Sequence, residues 1–552
     1  MDQSAVPTDL GHWVAALAPI VVLLVLLAVL RWKAPQAGPV GLVVGVIVAL
    51  ALFETPWETL AVAGGKGVWD AVFILFVVWP ALLLYRVSDS AGAFHALRKG
   101  ITRFSDNRMF LVFAFGWVFA SFLQGIAGFG TPIAVVAPLL VAIGVRPIYA
   151  VVIPLIGHAW ANMFGTLAVG WLATIQVIDL ENATETAFQT AVLLWLPNIA
   201  AGLAIAWIYG GMKALRHAWP LVLIVSAIHG GLQLALTLWD PVLSTFLASS
   251  AALVVLYPLS RWNRYAESAD IDSRVMREEG DDEATSDADE EQAREQEQEP
   301  VMGLGLALVP YIALTVVSVV GLVIGPVEDF LEEVEVGLPF PAVDTGYELE
   351  QDAQDPYSPF TPFTHPGFFL LLATAVAWLV YRARGSFEEW SRRAEVKPVG
   401  SALVTDAVPS SVAVVSFLVL SKVMDHSGQT ESLALGIAEV APPMVFTFLA
   451  TWIGVLGAFM TSSNTASNVL FAPLQQTVAE AESLNEATII GAQSTGGAIG
   501  NAIAPANVVL GTGTAGIIGQ EGQVLRRTLP WAVVVTLITG AVALLLEGVN
   551  LT

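Results

Sequence analysis

The sequence predicts an all-α integral membrane protein, with about twelve transmembrane helices and two re-entrant hairpins arranged in inverted repeats. Three observations predict this class: a mean hydropathy of +0.69, a series of long apolar blocks, and an internal repeat. Of the 552 residues, 55% are hydrophobic and only 13% are charged, which is too apolar for an ordinary soluble fold of this size. With their flanks, most blocks reach the roughly 20 residues of helix that cross a hydrocarbon layer.

The charge distribution gives information about the habitat of the organism and little about the function of the protein. The net charge of −24 lies mostly in two hydrophilic stretches, 261–300 and 328–355. Acidic surface with few lysines is typical of a salt-adapted prokaryote, although an ordinary acidic loop is an alternative for the first stretch. Residues 267–299 carry too little apolar surface to bury, which predicts a disordered cytoplasmic linker. The chain has no cysteine, which excludes disulfides, thiolate catalysis and cysteine metal sites.

The two halves on either side of this linker repeat one another. Asp, Gly, Trp and Pro residues hold their register at separations of 334 to 336 positions, which chance matches of Ala, Val and Leu would not produce. At a separation of 336, the matching pairs are Asp70 with Asp406, Asp89 with Asp425 and Gly92 with Gly428. Lys and Arg near helix ends favour the cytoplasm, and they place the segment after Asp89 inside and the segment after Asp425 outside. The repeats are therefore predicted to be inverted, with a substrate site where the halves meet.

This organisation predicts six segments along the chain. They are N-terminal transmembrane helices (1–59), repeat 1 (60–210), connecting helices (211–258), the acidic linker (259–300), helices with an acidic extracellular loop at 328–366 (301–395), and repeat 2 (396–552). Each repeat contains a stretch too long for one helix and too interrupted for two, at about 109–143 and 444–478. We interpret both as re-entrant hairpins, whose exposed backbone is tolerable only beside protein or a water-filled cavity. A helix broken by small and polar residues follows each hairpin.

The hairpin tips carry the groups that a buried carboxylate needs. Glycines let an anion approach main-chain N–H groups at helix N-termini, and hydroxyl and amide side chains add donors without burying a charge. The predicted substrate-binding residues are Gly128, Gly130, Thr131, Ser462, Ser463, Asn464, Ser467, Asn468, Gln493, Ser494 and Asn501. The alternative for both tips is helix packing through small residues.

A second set of residues could carry a coupling ion. It comprises His158, Gln124, Asn162 and Asp406. His158 could hold a coupling proton because the reference pKa of histidine lies near neutrality, although a lone histidine in an apolar helix is often a packing residue. Asp70 and Asp406 fall at predicted helix starts, where N-capping is the alternative. A dinucleotide fingerprint at 511–516 is discounted because no strand precedes it.

The motifs in both halves resemble those of the lactate permease family. In the first half they are 106–108 (DNR), 122–132 (FLQGIAGFGTP) and 164–165 (FG); in the second they are 423–428 (VMDHSG), 461–471 (TSSNTASNVLF), 496–500 (GGAIG) and 516–522 (GIIGQEG). The resemblance spans roughly 70–175 and 400–540. It implies a secondary active transporter that imports lactate and related 2-hydroxy acids, such as glycolate, across the plasma membrane with a co-transported cation, usually a proton.

Three positions depart from the family pattern. The family usually has Glu at the position of Gln124 and Lys at the position of Asn501, and His158 stands where it has Asn. Either His158 takes over proton coupling, or sodium replaces the proton. A carrier for another organic anion, such as a dicarboxylate or sulfonate, is the alternative function. An enzyme is not expected, since no nucleophile–base pair or metal-ligand cluster is visible. No cofactor and no nucleic-acid partner are expected; the partners are the anion, the cation and membrane lipid, and a homo-oligomer is an open alternative.

Overall fold

The computed structural model describes residues 6–30, 32–102, 105–128, 130–267, 271–277, 299–345, 347, 350–394 and 397–550. Helices make up most of this part of the chain. In chain order they are α1 (Leu10–Leu24), α2 (Ala34–Ala51), α3 (Trp57–Ser90), α4 (Ala93–Thr102), α5 (Arg108–Ile126), α6 (Thr131–Ala142), α7 (Pro147–Gly157), α8 (Gly165–Val177), α9 (Ala183–Thr237), α10 (Pro241–Ser260), α11 (Asn263–Ala266), α12 (Leu304–Ala307), α13 (Val309–Val323), α14 (Gly325–Glu332), α15 (Pro366–Ala383), α16 (Ser386–Ser391), α17 (Val399–His426), α18 (Gln429–Val440), α19 (Pro443–Thr461), α20 (Asn464–Ala481), α21 (Glu486–Asn501), α22 (Pro505–Thr514) and α23 (Glu521–Asn550).

The prediction of a helical membrane protein is confirmed. Among the described residues, ten helices are long and apolar enough to cross a membrane, or eleven if the bent pair α13 and α14 is one span. Both α5 and α19, the first arms of the two predicted hairpins, belong to these ten. About twelve spans were expected from the sequence. The number twelve and the re-entrant character of the hairpins stay predictions.

The acidic loop contains β structure that the sequence did not indicate. It forms β1 (Val336–Phe340), β2 (Val343–Asp344), β3 (Glu350–Gln351) and β4 (Gln354–Phe360), with β1 antiparallel to β4 and β2 antiparallel to β3. These strands lie on α3, where the Trp69 Nε1 group donates to the Ser358 carbonyl at 3.2 Å. At 34 residues, α3 is about 51 Å long, longer than a hydrocarbon layer of about 30 Å. Its N-terminal half can therefore reach beyond the membrane and support the loop.

The equivalent helices of the two repeats, α3 and α17, pack along one another in opposite directions. As the contacts advance along α3 they retreat along α17, and the joined pairs are Lys66 with His426, Asp70 with Lys422, Trp79 with Ser411 and Arg86 with Asp406. Two copies of one helix that run antiparallel are what inverted repeats require. The residues following α3 and α17 therefore emerge at opposite ends of this pair.

Neither Asp70 nor Asp406 caps a helix, so that interpretation is wrong. Asp70 lies well inside the 34-residue α3, and Asp406 is the eighth residue of α17. The apolar runs that set the predicted boundaries begin later than the helices do. Both aspartates instead have cationic partners on the opposite helix, because a carboxylate inside an apolar bundle needs a compensating charge.

The second hairpin packs on its broken helix through glycines. A Cβ on Gly454 of α19 would lie 2.1 Å from the Gln493 carbonyl oxygen, and one on Gly500 of α21 would lie 2.4 Å from the Val455 oxygen. Such distances show backbones in direct contact, as small residues permit in membrane helix pairs. The 496–500 motif therefore has a packing role. Most of the predicted disordered linker, including 278–298, lies outside the described residues.

Candidate functional site

A small cavity lies where the hairpin tips meet the broken helices. Its volume is about 80 Å³, well below the roughly 300–1,000 Å³ of pockets for drug-sized ligands. The lining residues come from both halves of the chain: Gln124, Gly130, His158, Asn162, Gly165, Thr166, Val169, Gly170, Ser462, Ser463, Asn464, Thr465, Asn501 and Asn507. Among these described residues, His158 is the ionisable one. The cavity therefore suits a small polar solute.

Four chain breaks surround this cavity, two in each repeat. The breaks follow α5, α7, α19 and α21, and each is followed in turn by the start of α6, α8, α20 or α22. Each break brings together the carbonyl-rich end of one helix and the N–H-rich start of the next. Helix starts favour anions, whereas helix ends and unwound carbonyls favour cations. The arrangement can therefore receive an anion and a cation side by side.

The breaks of the first repeat contain unusual backbone. Gly130 has φ +85°, and Thr166, Leu167 and Ala168 form a left-handed turn with φ between 50° and 60°. Non-glycine residues in this region are strained, and such strain clusters at functional sites. The Gly128 N–H donates to the Thr166 Oγ1 atom at 2.8 Å. The first hairpin tip is thus tied to the strained turn of α8.

The breaks of the second repeat are tied together in a similar way. Ser462 is also left-handed, with φ +58°, and its Oγ atom accepts from the Ala506 N–H at 3.3 Å. Ser463 caps α20 by accepting from the Ala466 N–H at 3.2 Å. Pro505 occupies the first turn of α22, where its missing N–H costs nothing. The second hairpin tip therefore holds the start of α22 in place.

His158 has a defined orientation at the cavity wall. Its Nδ1 atom lies 2.5 Å from the Pro154 carbonyl oxygen. Because a carbonyl oxygen can only accept, Nδ1 carries the hydrogen and donates it. In the neutral ring, Nε2 is then an acceptor, and protonation would turn it into a second donor. His158 can therefore respond to both an anion and a proton.

The structure brings eight of the predicted site residues to the cavity. They are Gly130, Ser462, Ser463, Asn464, Asn501, His158, Gln124 and Asn162. Gly128 and Thr131 lie at the first hairpin tip but do not line the cavity. The Gly128 N–H group already donates to Thr166 Oγ1. Asp406 does not line it either, because it is paired with Arg86 between α3 and α17. That these residues bind substrate or ion stays a prediction.

Three other predicted residues form a buried network beside the second hairpin. The Gln493 Nε2 group donates to Ser467 Oγ at 3.1 Å and to Asn468 Oδ1 at 3.4 Å. Asn468 in turn donates to the Met163 sulfur at 3.2 Å. These contacts fix the start of α20 against α21. Ser494 is fully buried nearby on α21, and its hydroxyl oxygen has no hydrogen-bond partner among the described residues.

Three polar residues of the cavity, Thr166, Thr465 and Asn507, are not among the site residues that the sequence predicts. Thr465 lies inside the polar run 461–468, which is the signal that could have identified it. Thr166 directly follows the 164–165 motif, which is the one sequence feature that points to it. No local pattern predicts the left-handed turn that brings it to the cavity. Asn507 lies two residues after Pro505. A polar side chain next to a proline that marks a helix break is a pattern that could have predicted a site residue here. The sequence predicts one interrupted helix in this stretch.

A larger groove elsewhere on the surface has a different character. It has a volume of about 560 Å³ and is lined by apolar and aromatic residues: Val72, Leu75, Phe76, Trp79, Pro80, Leu83, Phe360, Pro362, Leu371 and Leu403. Orientation of a small anion needs several polar donors. The smaller cavity is therefore the candidate site.

Comparisons with known proteins agree across nearly the whole chain. Residues 12–550 match the L-lactate permease family. The L-lactate permease of Salmonella typhi is 26% identical over 97% of this chain and 96% of its own length. The glycolate permease GlcA of Escherichia coli K12 is 23% identical over 96% of this chain and 94% of its own.

Solved structures resemble the chain more distantly. The YdaH transporter of Alcanivorax borkumensis aligns with a TM-score of 0.45 and 16% identity over 88% of both chains. MtrF of Neisseria gonorrhoeae aligns with a TM-score of 0.42 and 14% identity, over 87% of this chain and 82% of its own. The match over residues 12–550 assigns the family: the chain is a multi-pass membrane transporter of the L-lactate permease family.

Proposed function

We propose that this protein imports lactate and related 2-hydroxy monocarboxylates across the plasma membrane by symport with a cation. The observation that carries the proposal is the cavity of about 80 Å³ at which four helix breaks converge. Helix starts and uncharged donors such as Ser463 and Asn464 supply hydrogen bonds to a carboxylate. The names of the relatives, L-lactate permease and glycolate permease, point to the same substrate class.

The absence of a fixed charge in the described lining of the cavity supports symport. Gln124 and Asn501, where the family usually has Glu and Lys, leave the described lining without a fixed charge. A carboxylate that leaves water without compensation pays a penalty of several kcal/mol. A cation that enters with the anion removes this penalty. Anion and cation then bind better together than alone, which is the thermodynamic basis of coupled transport.

A proton is the first choice for the cation. Protonated His158 would present an Nε2–H donor to the carboxylate while its Nδ1–H stays on Pro154. The imidazolium and the carboxylate would then compensate each other inside the cavity. Sodium is the second choice, since the helix ends at the four breaks offer carbonyl oxygens. Asp406 has no part in this proposal, because Arg86 already compensates its charge.

Transport in proteoliposomes tests the function and the coupling ion together. Purified protein is reconstituted, and uptake of labelled lactate is followed under an imposed pH gradient, an imposed sodium gradient, or neither. Accumulation above equilibrium under one gradient is the expected result. Uptake that neither gradient drives would refute symport. Competition by a panel of anions, including dicarboxylates and sulfonates, tests the substrate class, because Asn501 removes the usual lysine.

A further inference from the structure

Two asparagine amides join across the break between α21 and α22. Asn501 ends α21, and Asn507 lies in the first turn of α22. The Asn507 Nδ2 group lies 3.1 Å from the Asn501 carbonyl oxygen and 2.6 Å from Asn501 Oδ1. Both side chains line the cavity. The pair is therefore part of the cavity wall.

The backbone carbonyl fixes the orientation of both amides. Oxygen and nitrogen of an asparagine amide are assigned from their hydrogen-bond partners. Because the Asn501 carbonyl oxygen can only accept, the Asn507 atom that faces it must be the NH₂ group. The same NH₂ group meets the Asn501 side chain at 2.6 Å, so that atom must be the amide oxygen. The opposite assignment would place two oxygens against each other at 3.1 Å.

This orientation leaves one donor group and one acceptor at the cavity. Asn501 retains the two N–H groups of its Nδ2 atom, and Asn507 retains its Oδ1 atom. Neither atom has a protein partner among the described residues. Asn507 Oδ1 points towards the first hairpin tip, since a Cβ on Gly130 would lie 4.0 Å from it. Both residues line the cavity between the halves of the protein.

We infer that this amide pair selects 2-hydroxy acids. In this arrangement Asn501 Nδ2 donates to a carboxylate oxygen, and Asn507 Oδ1 accepts the hydrogen of the hydroxyl group on the adjacent carbon. Lactate and glycolate present both groups. Propionate lacks the hydroxyl, and pyruvate has a carbonyl oxygen there that would face the Asn507 oxygen. A site built to bind a hydroxyl discriminates strongly against an analogue that leaves its acceptor unpaired. The inference rests on the proposed function.

Ligand binding to the purified protein tests this assignment without assuming a coupling ion. Apparent dissociation constants for lactate, glycolate, propionate and pyruvate are obtained from ligand-dependent thermal stability in detergent, and competition against labelled lactate in proteoliposomes provides a second measure. The wild type is expected to prefer lactate over propionate by about tenfold or more. Asn507→Leu, which keeps a similar volume without the acceptor, is expected to reduce this ratio towards one.

Two further variants separate selection from binding. Asn501→Asp keeps the oxygen that accepts from Asn507 but replaces the N–H donors with a second oxygen, so affinity for all four acids should fall. Asn198→Leu removes a buried amide that lies outside the cavity, where its Nδ2 group contacts His229 Nδ1 at 3.2 Å. It should leave the lactate-to-propionate ratio unchanged. If Asn507→Leu is not monodisperse, Asn507→Ser, with a side chain too short to reach, carries the same expectation.

The outcomes distinguish the inference from the function on which it rests. A folded Asn507→Leu protein that keeps the wild-type preference overturns the inference, as does a wild type that binds all four acids equally. A wild type that binds none of the four acids overturns the proposed function itself.

Discussion

Asp70 and Lys422 form a salt bridge between the antiparallel helices α3 and α17, with Asp70 Oδ2 3.6 Å from Lys422 Nζ. The same contact occurs a second time between Asp406 and Arg86. Asp406 lies 336 positions after Asp70, and Lys422 lies 336 positions after Arg86. The two ion pairs are therefore one interaction, repeated by the internal two-fold relation.

The two copies have different surroundings. Asp70 is completely buried and also accepts from the Tyr357 hydroxyl at 3.0 Å, a contact supplied by the acidic loop. In the second copy, the side chains of Arg86 and Asp406 are 25% and 30% exposed. Water can therefore compensate a lost partner in the second copy but not in the first.

We expect Asp70→Ala to destabilise the protein more than Asp406→Ala. Removing one partner of a buried pair leaves an uncompensated charge and costs about 3–5 kcal/mol, whereas partly exposed pairs contribute at most about 1 kcal/mol. Thermal unfolding in detergent measures the difference. A double change of Asp70→Ala and Lys422→Met should recover part of the loss, because it removes both charges. Equal destabilisation by the two single changes would contradict the assignment.

The predicted inversion of the repeats requires matched positions to face opposite sides of the membrane. Asp89 and Asp425 are equivalent, and their side chains are 49% and 47% exposed. The chain has no cysteine, so Asp89→Cys and Asp425→Cys each introduce a single reactive thiol. An impermeant maleimide applied to intact cells should label position 425, and it should label position 89 only after the membrane is opened. Labelling of both from one side would refute the inversion.

Gly130→Ala should reduce lactate uptake more strongly than Gly144→Ala does. A Cβ at this position would lie 2.4 Å from Leu510 Cδ2, and the backbone has φ +85°. Gly144→Ala is the matched control, since its φ is +92° and the nearest atom, the flexible Met276 Cε, would be 3.3 Å away. Both changes add backbone strain of about 1–2 kcal/mol, so the control isolates the collision at the hairpin tip. Comparable uptake by both variants would contradict a role for the tip in transport.

His158→Gln should abolish accumulation driven by a pH gradient, because glutamine does not titrate. His229→Gln is the control: His229 is also buried and contacts Asn198 at 3.2 Å, outside the cavity. It should leave the response to the gradient intact. Uptake is measured in proteoliposomes with equal amounts of monodisperse protein. If His158→Gln still accumulates lactate under a pH gradient, the coupling proton is carried elsewhere. Accumulation that depends on sodium alone in both proteins would favour sodium coupling.

The sequence alone determined the class of protein, and it also predicted the repeat and the location of the hairpin tips. These properties are local or additive along the chain: transfer of apolar residues into lipid depends on composition, and a repeat depends on register. The polar run 461–468 therefore indicated the second tip, and its residues Ser462, Ser463, Asn464 and Thr465 do line the cavity.

Only the tertiary structure decided how these residues are paired. Arg86 and Asp406 are 320 positions apart, and their contact depends on the packing of α3 against α17. The same holds for the amides of Asn501 and Asn507. The position of the Asn501 backbone carbonyl decides which nitrogen and which oxygen of the pair remain available to a ligand. Ion pairs and hydrogen bonds depend on interatomic distances to within a few tenths of an ångström, and hydrogen bonds depend also on the donor–acceptor angle. No local pattern encodes these, so the partners of Asp70 and Asp406, the left-handed turn at Thr166 and the strands of the acidic loop emerged only from the folded chain.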